Sequence, residues 1–478
     1  MSESTTNDTG RRRGPPDEGS YAITAVTVPP GTPERVQMGG RTMSERTESA
    51  GGTASEYQPL WRNWNFLRFF AGRFVTNVGD SLYSIAILWL VFELGESTAL
   101  TGAANSLLLL PFLLQIVAGP VVDRFRIKPI LVGSQLVQGV VVLVVPIAAY
   151  TGTVTVGLLF VLIPVLAVMN LLIAPIQSTL VPRIVADEQL SRTNSALTTI
   201  TYGVDSLFEA AGGIFIAVFG TTALFVLDSA TFAVAAALFA GMQIPAVDGG
   251  DGDQPSAIRT YVADLRAGID TLRGTVFVEL LCLSAVSNFA VGASLALLPA
   301  FGASLGGPTV YGLLLGALGV GRMVGSAVAS SIKGVPYGQF VTVGYLVAGG
   351  CWLGAVVAPS VGLSIGLFGL AWVPAGVDAV LIATLNQKVF PTGLLGRISA
   401  IKGTVSTATL PIGSLVGGLV GEQFGVTATM GLAAVGFAFP GLYVALRSSL
   451  RGLPPVTTAD PEQFDVHVDA ARPGANGE

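Results

Sequence analysis

Three carboxylic acids lie inside long apolar stretches of this sequence and are its first candidates for chemistry. They are Asp80, Asp205 and Glu209. An ionisable group in a membrane helix costs about 2.5–3.5 kcal/mol on insertion scales, so it usually faces a cavity or a partner. A low dielectric disfavours the charged form of a carboxylate, which brings proton binding and release toward cellular pH. All three residues are therefore predicted candidates for carrying a proton.

The first of these acids belongs to a polar stripe. Arg73, Asn77, Asp80 and Ser84 recur every three or four residues, a spacing that places them on one face of a helix. A polar face on a membrane helix indicates a cavity or a partner. The alternative is that Arg73 extends to the membrane interface and Asp80 only pairs with it. Asp228 and Asp378 lie nearer the ends of apolar stretches and are interpreted as structural caps or interface groups.

The elements that must hold these groups are predicted to be membrane helices. The 478-residue chain is 51% hydrophobic and 12% charged, about half the charged share of soluble domains, which is about 25%. A membrane helix needs about 20 apolar residues, and the chain has room for about twelve. The predicted helices cover residues 67–92, 98–119, 129–150, 154–178, 195–218, 221–243, 275–300, 309–331, 337–358, 361–385, 398–420 and 426–446.

A polar linker divides the predicted helices into two sets of six. The predicted domains are a disordered cytoplasmic tail (1–62), an N-terminal six-helix bundle (63–243), a cytoplasmic linker with a surface helix (244–274), a C-terminal six-helix bundle (275–447) and a second disordered cytoplasmic tail (448–478). Both tails lack an apolar period and cannot bury enough surface to offset their chain entropy. The surface helix is predicted from apolar residues at helical spacing between Ile258 and Leu272.

The distribution of basic residues predicts the topology. Lys and Arg concentrate in the even-numbered connections between the predicted helices, whereas the odd-numbered connections hold acids such as Glu96 and Glu422. Because Lys and Arg concentrate on the cytoplasmic side of membrane proteins, both termini are predicted to be cytoplasmic. The protein is therefore predicted to be a multi-pass protein of the cell membrane.

Several classes of function are disfavoured by composition. Cys282 and Cys351 both lie in apolar stretches and His467 lies in a polar tail, so no metal site or cofactor is predicted. The net charge of −5 suggests no basic surface for nucleic acid. No Ser/His, metal or carboxylate-dyad signature is present, so the protein is not predicted to be an enzyme.

A short charged loop between the second and third predicted helices carries a family signature. The segment 119–129 resembles the pattern G-x-x-x-D-R-x-x-R-K of the major facilitator superfamily of transporters. Gly119, Asp123, Arg124 and Lys128 match this pattern, whereas Ile127 departs from it. The alternative is an ordinary cytoplasmic turn. Paired motifs in the two halves, such as Val181-Pro182 and Phe390-Pro391, fit the parallel six-helix repeats of that superfamily.

Two further stretches resemble the enterobactin-exporter and macrolide-efflux branch of the superfamily. Residues 73–80 are similar to its S-x-x-G-D segment, and residues 180–196 to its L-P-x-L-V-x-x-x-x-L-x-x-A-N-A segment. There are departures from the drug–proton antiporter pattern. Glu209 stands where a fifth-helix motif usually has proline, and the fourth helix lacks the basic residue of those antiporters.

The resemblance implies the roles of particular residues. It implies a fold of twelve transmembrane helices in two six-helix bundles, and a central cavity lined by Arg73, Asn77, Tyr202 and Asn288. Helices five and eight meet between the bundles, so Asp205 and Arg322, which lie at similar depth, are predicted to pair across that interface. The alternative is that each is satisfied within its own half.

The resemblance also implies a function. A monomeric, proton-coupled exporter of drugs, siderophores or other amphiphiles is expected, with a small molecule, protons and the lipid bilayer as its partners and alternating access as its mechanism. Solute uptake or facilitation by the same fold is an alternative. A membrane receptor or scaffold that has lost transport is another, although the intramembrane charges argue against it.

The predicted topology is tested by labelling single cysteines. In a background without Cys282 and Cys351, Glu96→Cys should react with a membrane-impermeant maleimide added to intact cells, because its loop is predicted to face outward. Asp251→Cys in the linker should react only after the cells are permeabilised. The reverse pattern would contradict the assignment.

Overall fold

The computed structural model describes residues 59–111, 127–244 and 272–464, together with Arg266, Ile269 and Val466. Twelve principal helices, some of them in two segments, follow one another in this part of the chain. They are α1 (Trp64–Gly95), α2 (Thr98–Leu108), α3 (Ile127–Tyr150), α4 (Val156–Leu171 and Ile173–Ile184), α5 (Leu190–Phe219), α6 (Thr221–Ala240), α7 (Val276–Leu305), α8 (Pro308–Val328), α9 (Tyr337–Val356), α10 (Val361–Ala371 and Val373–Val389), α11 (Thr392–Phe424) and α12 (Val426–Leu446).

The helices have the length and apolarity of membrane spans. Ten helical stretches among the described residues meet both requirements. The described part of α2 has 11 residues, and the apolar part of α5 is the shorter stretch Leu207–Phe219. Each of the twelve predicted membrane helices has a helical counterpart in the described ranges, and no named β-strand occurs there. The predicted class, an all-α membrane protein, is confirmed.

Local sequence explains where helices begin and where they break. Asn63 accepts hydrogen bonds from the backbone N–H groups of Asn65 and Phe66 at 3.0 and 3.2 Å and so caps the start of α1. The breaks in α4 and α10 lie beside Pro175 and Pro374, because proline cannot supply the N–H of the helical ladder. The fourth helix of each half is thus broken at a similar place.

The helices pack mainly within two groups, α1–α6 and α7–α12, which we call the N-terminal half and the C-terminal half. In the first group α6 lies against α1, α3 and α5, and in the second α7 lies against α11 and α12. At the end of the N-terminal half where α1 begins, Asn65 exchanges hydrogen bonds of 2.8 and 2.9 Å with the backbone of Gln243. This contact ties the start of α1 to the end of α6.

The predicted disorder of residues 448–478 is wrong for residues 448–464, which we call the C-terminal segment. It forms one helical turn, Ser448–Arg451, and two 3-10 turns, Val456–Thr458 and Pro461–Phe464. Leu450, Val456 and Phe464 are buried. These apolar residues are too widely spaced in the sequence to form a periodic pattern, so no helix was predicted here although each of their side chains packs into the core.

The C-terminal segment is held by the ends of three helices. Tyr337 N–H at the start of α9 donates to Pro454 O at 3.1 Å, and Lys388 Nζ on α10 donates to Thr457 O at 2.8 Å. The Phe464 ring packs on Phe277 of α7 with 5.6 Å between the ring centroids. The segment therefore completes the core at this end of the C-terminal half.

Other predicted boundaries lie partly outside the described residues. Residues 1–58 and most of the linker, 245–265, are not among the described residues. Residues 60–62, predicted to belong to the tail, form a 3-10 turn with Leu60 buried. Arg266, Ile269 and Leu272 are helical, and Leu272 is buried.

We expect Phe464→Ala to lower the free energy of unfolding of the C-terminal half by about 3–5 kcal/mol, because the change removes a buried ring and leaves a cavity. Thermal melting of the detergent-purified protein, followed by tryptophan fluorescence, measures this. Phe424→Ala is the matched control, since the Phe424 side chain is 70% exposed. Equal melting temperatures for the two variants would contradict docking of the C-terminal segment.

Candidate functional site

A cavity of about 770 Å³ lies in the N-terminal half, between α1, α2, α4 and α5. Its wall from α1 consists of Arg73, Asn77, Asp80 and Tyr83. The opposing walls mix apolar side chains with amides and hydroxyls. These include Leu108, Leu166, Asn170, Gln177, Asn194 and Thr201.

The predicted polar stripe of α1 faces this cavity. Asn77 Nδ2 donates to Thr201 Oγ1 of α5 at 3.3 Å, which joins two walls. Asp80 is half-buried and Asn77 is buried. Ser84, the last member of the stripe, donates to the carbonyl of Ser81 at 2.9 Å. Tyr83 belongs to the cavity wall although the sequence did not single it out, because an aromatic residue in an apolar stretch gives no separate signal.

Behind this wall lies a buried acid on α6. Asp228 has 0% exposure, and its Oδ1 accepts a hydrogen bond from Thr231 Oγ1 at 3.3 Å. A Cβ built on Gly79 of α1 would overlap Asp228 Oδ1, so the glycine is what allows the acid to sit against α1. Asp228 is an interior group of the helix pair and not a helix cap.

The two halves touch where α2 crosses α11. A Cβ built on Gly102 would lie 2.9 Å from Gly418 Cα, so backbone meets backbone here and only glycine fits. Asn105 Nδ2 donates to Ser414 Oγ at 2.9 Å, and Ser414 Oγ donates to Gly102 O at 3.2 Å. We call the end of the molecule that carries the α1–α2 connection the outer end, following the predicted topology, and the opposite end the inner end.

An acid of α11 caps the start of α2 at the outer end. Glu422 Oε2 accepts hydrogen bonds from Ser97 Oγ and from Thr98 N–H, both at 2.9 Å. Thr98 Oγ1 also donates to Gly418 O at 2.9 Å. A carboxylate at a helix N-terminus is stabilised by the unpaired N–H groups and the helix dipole. Here that stabilisation joins one half to the other.

A second contact between the halves joins α5 to α8. A Cβ built on Gly213 would lie 2.8 Å from Gly312 Cα, again a contact of backbone on backbone. Nearby, the rings of Trp89 on α1 and Tyr311 on α8 stack with centroids 6.0 Å apart. Together with the α2–α11 crossing, this forms what we call the outer contact.

Glu209 lies at the α5–α8 contact. A Cβ built on Gly312 would lie 3.0 Å from the Glu209 carbonyl oxygen, and the Glu209 carboxyl is close enough to act electrostatically on Tyr311. The side chains of Tyr202 and Asp205 lie outside the described part of the structure. Of the three predicted proton carriers, Asp80 is the one found on the cavity wall among the side chains described.

Arg322 has neighbours in its own half. Its backbone oxygen faces Gly376 of α10 so closely that a Cβ on the glycine would overlap it, and its charge acts on Tyr345 of α9. The Arg322 side chain is exposed. Because the Asp205 side chain is not among those described, the predicted pair of Asp205 and Arg322 stays a prediction.

A cluster of polar side chains lies at the inner end of the C-terminal half, and only its acid, Asp378, was singled out from the sequence. Asp378 on α10 accepts hydrogen bonds from the hydroxyls of Tyr337 and Tyr345, both at 2.8 Å. Lys402 on α11 donates to Asn386 Oδ1 at 2.6 Å and lies 4.9 Å from the ring centroid of Phe277. Asp378 is an interior acid held by two hydroxyls. Lys402 could have been singled out from the sequence, because a lysine inside a predicted membrane helix indicates a buried partner or a cavity.

The other predicted site residues are spread over the molecule. Gly119, Asp123 and Arg124 of the signature loop lie outside the described residues. Lys128 Nζ donates to Met242 O at 2.8 Å, just beyond the end of α6, where a cation is favoured. Asn288 on α7 donates to Ser284 O at 3.0 Å and does not line the cavity described above.

Comparisons with known proteins agree with this architecture. Residues 54–468 match the model of a family described as transmembrane secretion effector. The chain is 23% identical over 393 residues to macrolide efflux protein A of Streptococcus pyogenes, a match that covers 77% of this chain and 92% of that protein. It is 28% identical over 250 residues to an uncharacterised MFS-type transporter of Sinorhizobium fredii, covering 51% and 60% of the two chains.

Solved structures show the same fold. An inward-facing, occupied bacterial homologue of the human lysosomal transporter Spinster superposes with a TM-score of 0.62 at 11% identity, covering 87% of this chain and 100% of that one. An inward-facing bacterial homologue of the iron transporter ferroportin superposes with a TM-score of 0.59 at 16% identity, covering 82% and 100%. The predicted fold of the major facilitator superfamily is thereby confirmed.

The Glu422 cap should hold the outer ends of α2 and α11 together. We expect Glu422→Gln to lengthen and broaden the distance distribution between spin labels placed at Glu96 and Gln423, because a neutral amide is a weaker acceptor for the N–H groups of α2. Pulsed electron spin resonance in lipid nanodiscs measures this distribution. Glu93→Gln, which changes an exposed glutamate in the last turn of α1 at the same end of the molecule, is the matched control. Identical distributions for the two variants would show that the cap does not hold the contact.

Proposed function

The chain belongs to the transmembrane secretion effector family of major facilitator transporters, and we propose that it exports amphiphilic small molecules from the cell by proton-coupled alternating access. The transporter class follows from the family match over residues 54–468. The direction, the substrate class and the coupling ion are the proposal. We place the protein as a monomer in the cell membrane, with both termini in the cytoplasm.

The direction and the substrate class are supported by the relatives. The family is described as one of secretion. The streptococcal relative is named for macrolide efflux, and the match covers nearly its whole length. Macrolides combine a large apolar ring with sugars and hydroxyls. We take such amphiphiles, rather than small ions, as the class to test first.

The cavity is suited to a molecule of that kind. Its volume of about 770 Å³ lies in the range of about 300–1,000 Å³ that is usual for small-molecule sites. Leu108, Leu166 and Leu171 offer an apolar wall, while Asn77 and Gln177 offer amides at fixed places. Such a wall binds an apolar body and orients a few polar groups.

The outer contact supports a route from the inner end. The cavity extends to Val181 and Pro182 on α4 and to Leu190 and Asn194 at the start of α5, near the connection whose arginines are predicted to be cytoplasmic. At the opposite end, the α2–α11 and α5–α8 crossings bring the halves together. Export then requires these crossings to part while the inner ends close.

The observation that carries the coupling proposal is an acid on the cavity wall. Asp80 is half-buried and lines the cavity together with Arg73 and Asn77, so substrate and proton can reach the same space. Loading Asp80 with a proton removes its charge from the cavity and alters its attraction to Arg73. Glu209 and Asp205 are the next candidates, because they lie on the helix that forms one side of the outer contact.

Proteoliposomes with an imposed proton gradient test the proposal. We expect radiolabelled erythromycin and ethidium to accumulate against their gradients in wild-type vesicles. Asp80→Asn should reduce this accumulation to the level of empty vesicles while it still permits exchange of labelled for unlabelled probe. The reason is that exchange needs the binding site but no net proton movement.

The matched control is Asp187→Asn, which makes the same chemical change at an exposed position. It should transport as the wild type does. If the wild-type protein accumulated the probes equally with and without a proton gradient, proton coupling would be refuted. Full gradient-driven accumulation by Asp80→Asn would move the coupling site to Glu209 or Asp205.

A further inference from the structure

An unsatisfied carboxyl oxygen lies directly behind the cavity wall. Asp228 is fully buried, and its Oδ2 has no hydrogen-bond partner among the described residues. Burying an isolated carboxylate without compensation is very costly, whereas a protonated carboxyl carries no charge and gains an O–H donor. Buried polar atoms without partners are uncommon in folded proteins, and each calls for an explanation such as catalysis or a missing ligand.

A second buried polar group without a hydrogen-bond partner in the described ranges lies on α1. The Tyr83 hydroxyl is buried and has no hydrogen-bond partner among the described residues, although the residue lines the cavity. The side chain is 6% exposed. A phenol hydroxyl both donates and accepts, and the charge of Asp228 on α6 acts on this one.

The packing of α1 against α6 brings these groups to Asp80. Gly79 allows the close approach, because a Cβ there would overlap both Asp228 Oδ1 and Thr231 Oγ1. The next residue, Asp80, faces the cavity. The charges of Asp80 and Asp228 act on one another and on Tyr83, so the three groups form one electrostatic unit across the wall.

We propose that Asp80 and Asp228 form a two-carboxyl site that binds one proton, with Asp80 facing the cavity and Asp228 storing the proton out of contact with water. The inference rests on the proposed proton coupling and identifies the second half of its site. Tyr83 lines the cavity beside Asp80 and is close enough for the charges of both carboxyls to act on it.

The proton movement balances as follows. With Asp228 protonated and Asp80 ionised, the pair carries one negative charge. Asp228 Oδ2 has no hydrogen-bond partner among the described residues, so the transfer needs a movement of α1 against α6 that brings the two carboxyls into contact. The proton then passes from Asp228 Oδ2 to the Asp80 carboxylate, which leaves Asp228 ionised and the total charge unchanged. Release from Asp80 to water in the cavity then gives the pair two negative charges, and uptake of one proton restores the starting state.

Within the described ranges, the surroundings contain few other charges that could take this role. The helices that pack against α6 there are α1, α3 and α5. On α1 the nearest other charge is Arg73, seven residues or about 10 Å along the helix from Asp80. On α3 residues 130–149 include no acidic or basic residue, and its buried polar groups there include the amides of Gln135 and Gln138. On α5 the acids are Asp205, whose side chain is not described, and Glu209 at the outer contact.

Infrared difference spectroscopy of the purified full-length protein tests the site without any substrate. A protonated carboxylic acid has a C=O stretching band that a carboxylate lacks. We expect wild-type protein to keep such a band at neutral pH, Asp228→Asn to lose it, and Asp187→Asn to keep it unchanged. A band that persists in Asp228→Asn would overturn the proposal.

Asp80→Asn gives the second, independent result, which holds even if Asp228→Asn fails to fold. Because each carboxyl of a coupled pair responds to the charge of the other, the pH at which the band disappears should change by about one unit or more. No change in this pH, relative to wild type and Asp187→Asn, would show that the carboxyls titrate separately and would also overturn the proposal.

Transport separates this inference from the function on which it rests. Asp228→Asn should lose gradient-driven accumulation of erythromycin and ethidium to the level of empty vesicles and keep exchange, as Asp80→Asn does. A wild-type protein that moves neither probe would count against the proposed export, while the infrared results would stand. Normal gradient-driven accumulation by a folded Asp228→Asn protein would refute the two-carboxyl site and leave export intact.

Discussion

Contact of bare backbone at two helix crossings is the constraint on which the rest of the structure depends. Gly102 against Gly418 and Gly213 against Gly312 leave no room for a Cβ, so at these points the halves meet without interlocking side chains. Small residues let helices approach closely in a membrane, where association relies on packing and hydrogen bonds. These crossings make up the outer contact, whereas the cavity of the N-terminal half extends toward the inner end.

The two halves treat their buried acids differently. Asp378 in the C-terminal half is matched by two tyrosine hydroxyls, Tyr337 and Tyr345, and acts as a fixed part of the interior. In the N-terminal half, Asp228 and Tyr83 have unmatched atoms beside a cavity. A carboxyl whose oxygens are hydrogen-bonded is held in place, whereas one with an unpaired oxygen can take up a proton. On the proposed coupling, the N-terminal half carries the proton and the C-terminal cluster is structural.

The sequence predicted whatever depends on local periodicity, and it did not predict what depends on contacts between distant segments. Apolar length predicted the helices, and helical spacing placed Arg73, Asn77 and Asp80 on one face. The depth of Asp228 depends on Gly79 of another helix, and the docking of Phe464 depends on Phe277 nearly two hundred residues earlier. No local pattern encodes either contact, so the sequence left Asp228 as a cap or an interface group and the C-terminal segment as disordered.

Docking of the C-terminal segment also has a consequence for biosynthesis. Chains emerge from the ribosome N-terminus first and fold domain by domain. The N-terminal half has all its helices once residue 244 has been made, but the inner end of the C-terminal half lacks Leu450, Val456 and Phe464 until translation is nearly over. Until then Phe277 lacks the ring that covers it in the finished protein. A ribosome that stops after α12 would release a protein with every membrane span and an uncovered apolar surface, a substrate for quality-control proteases.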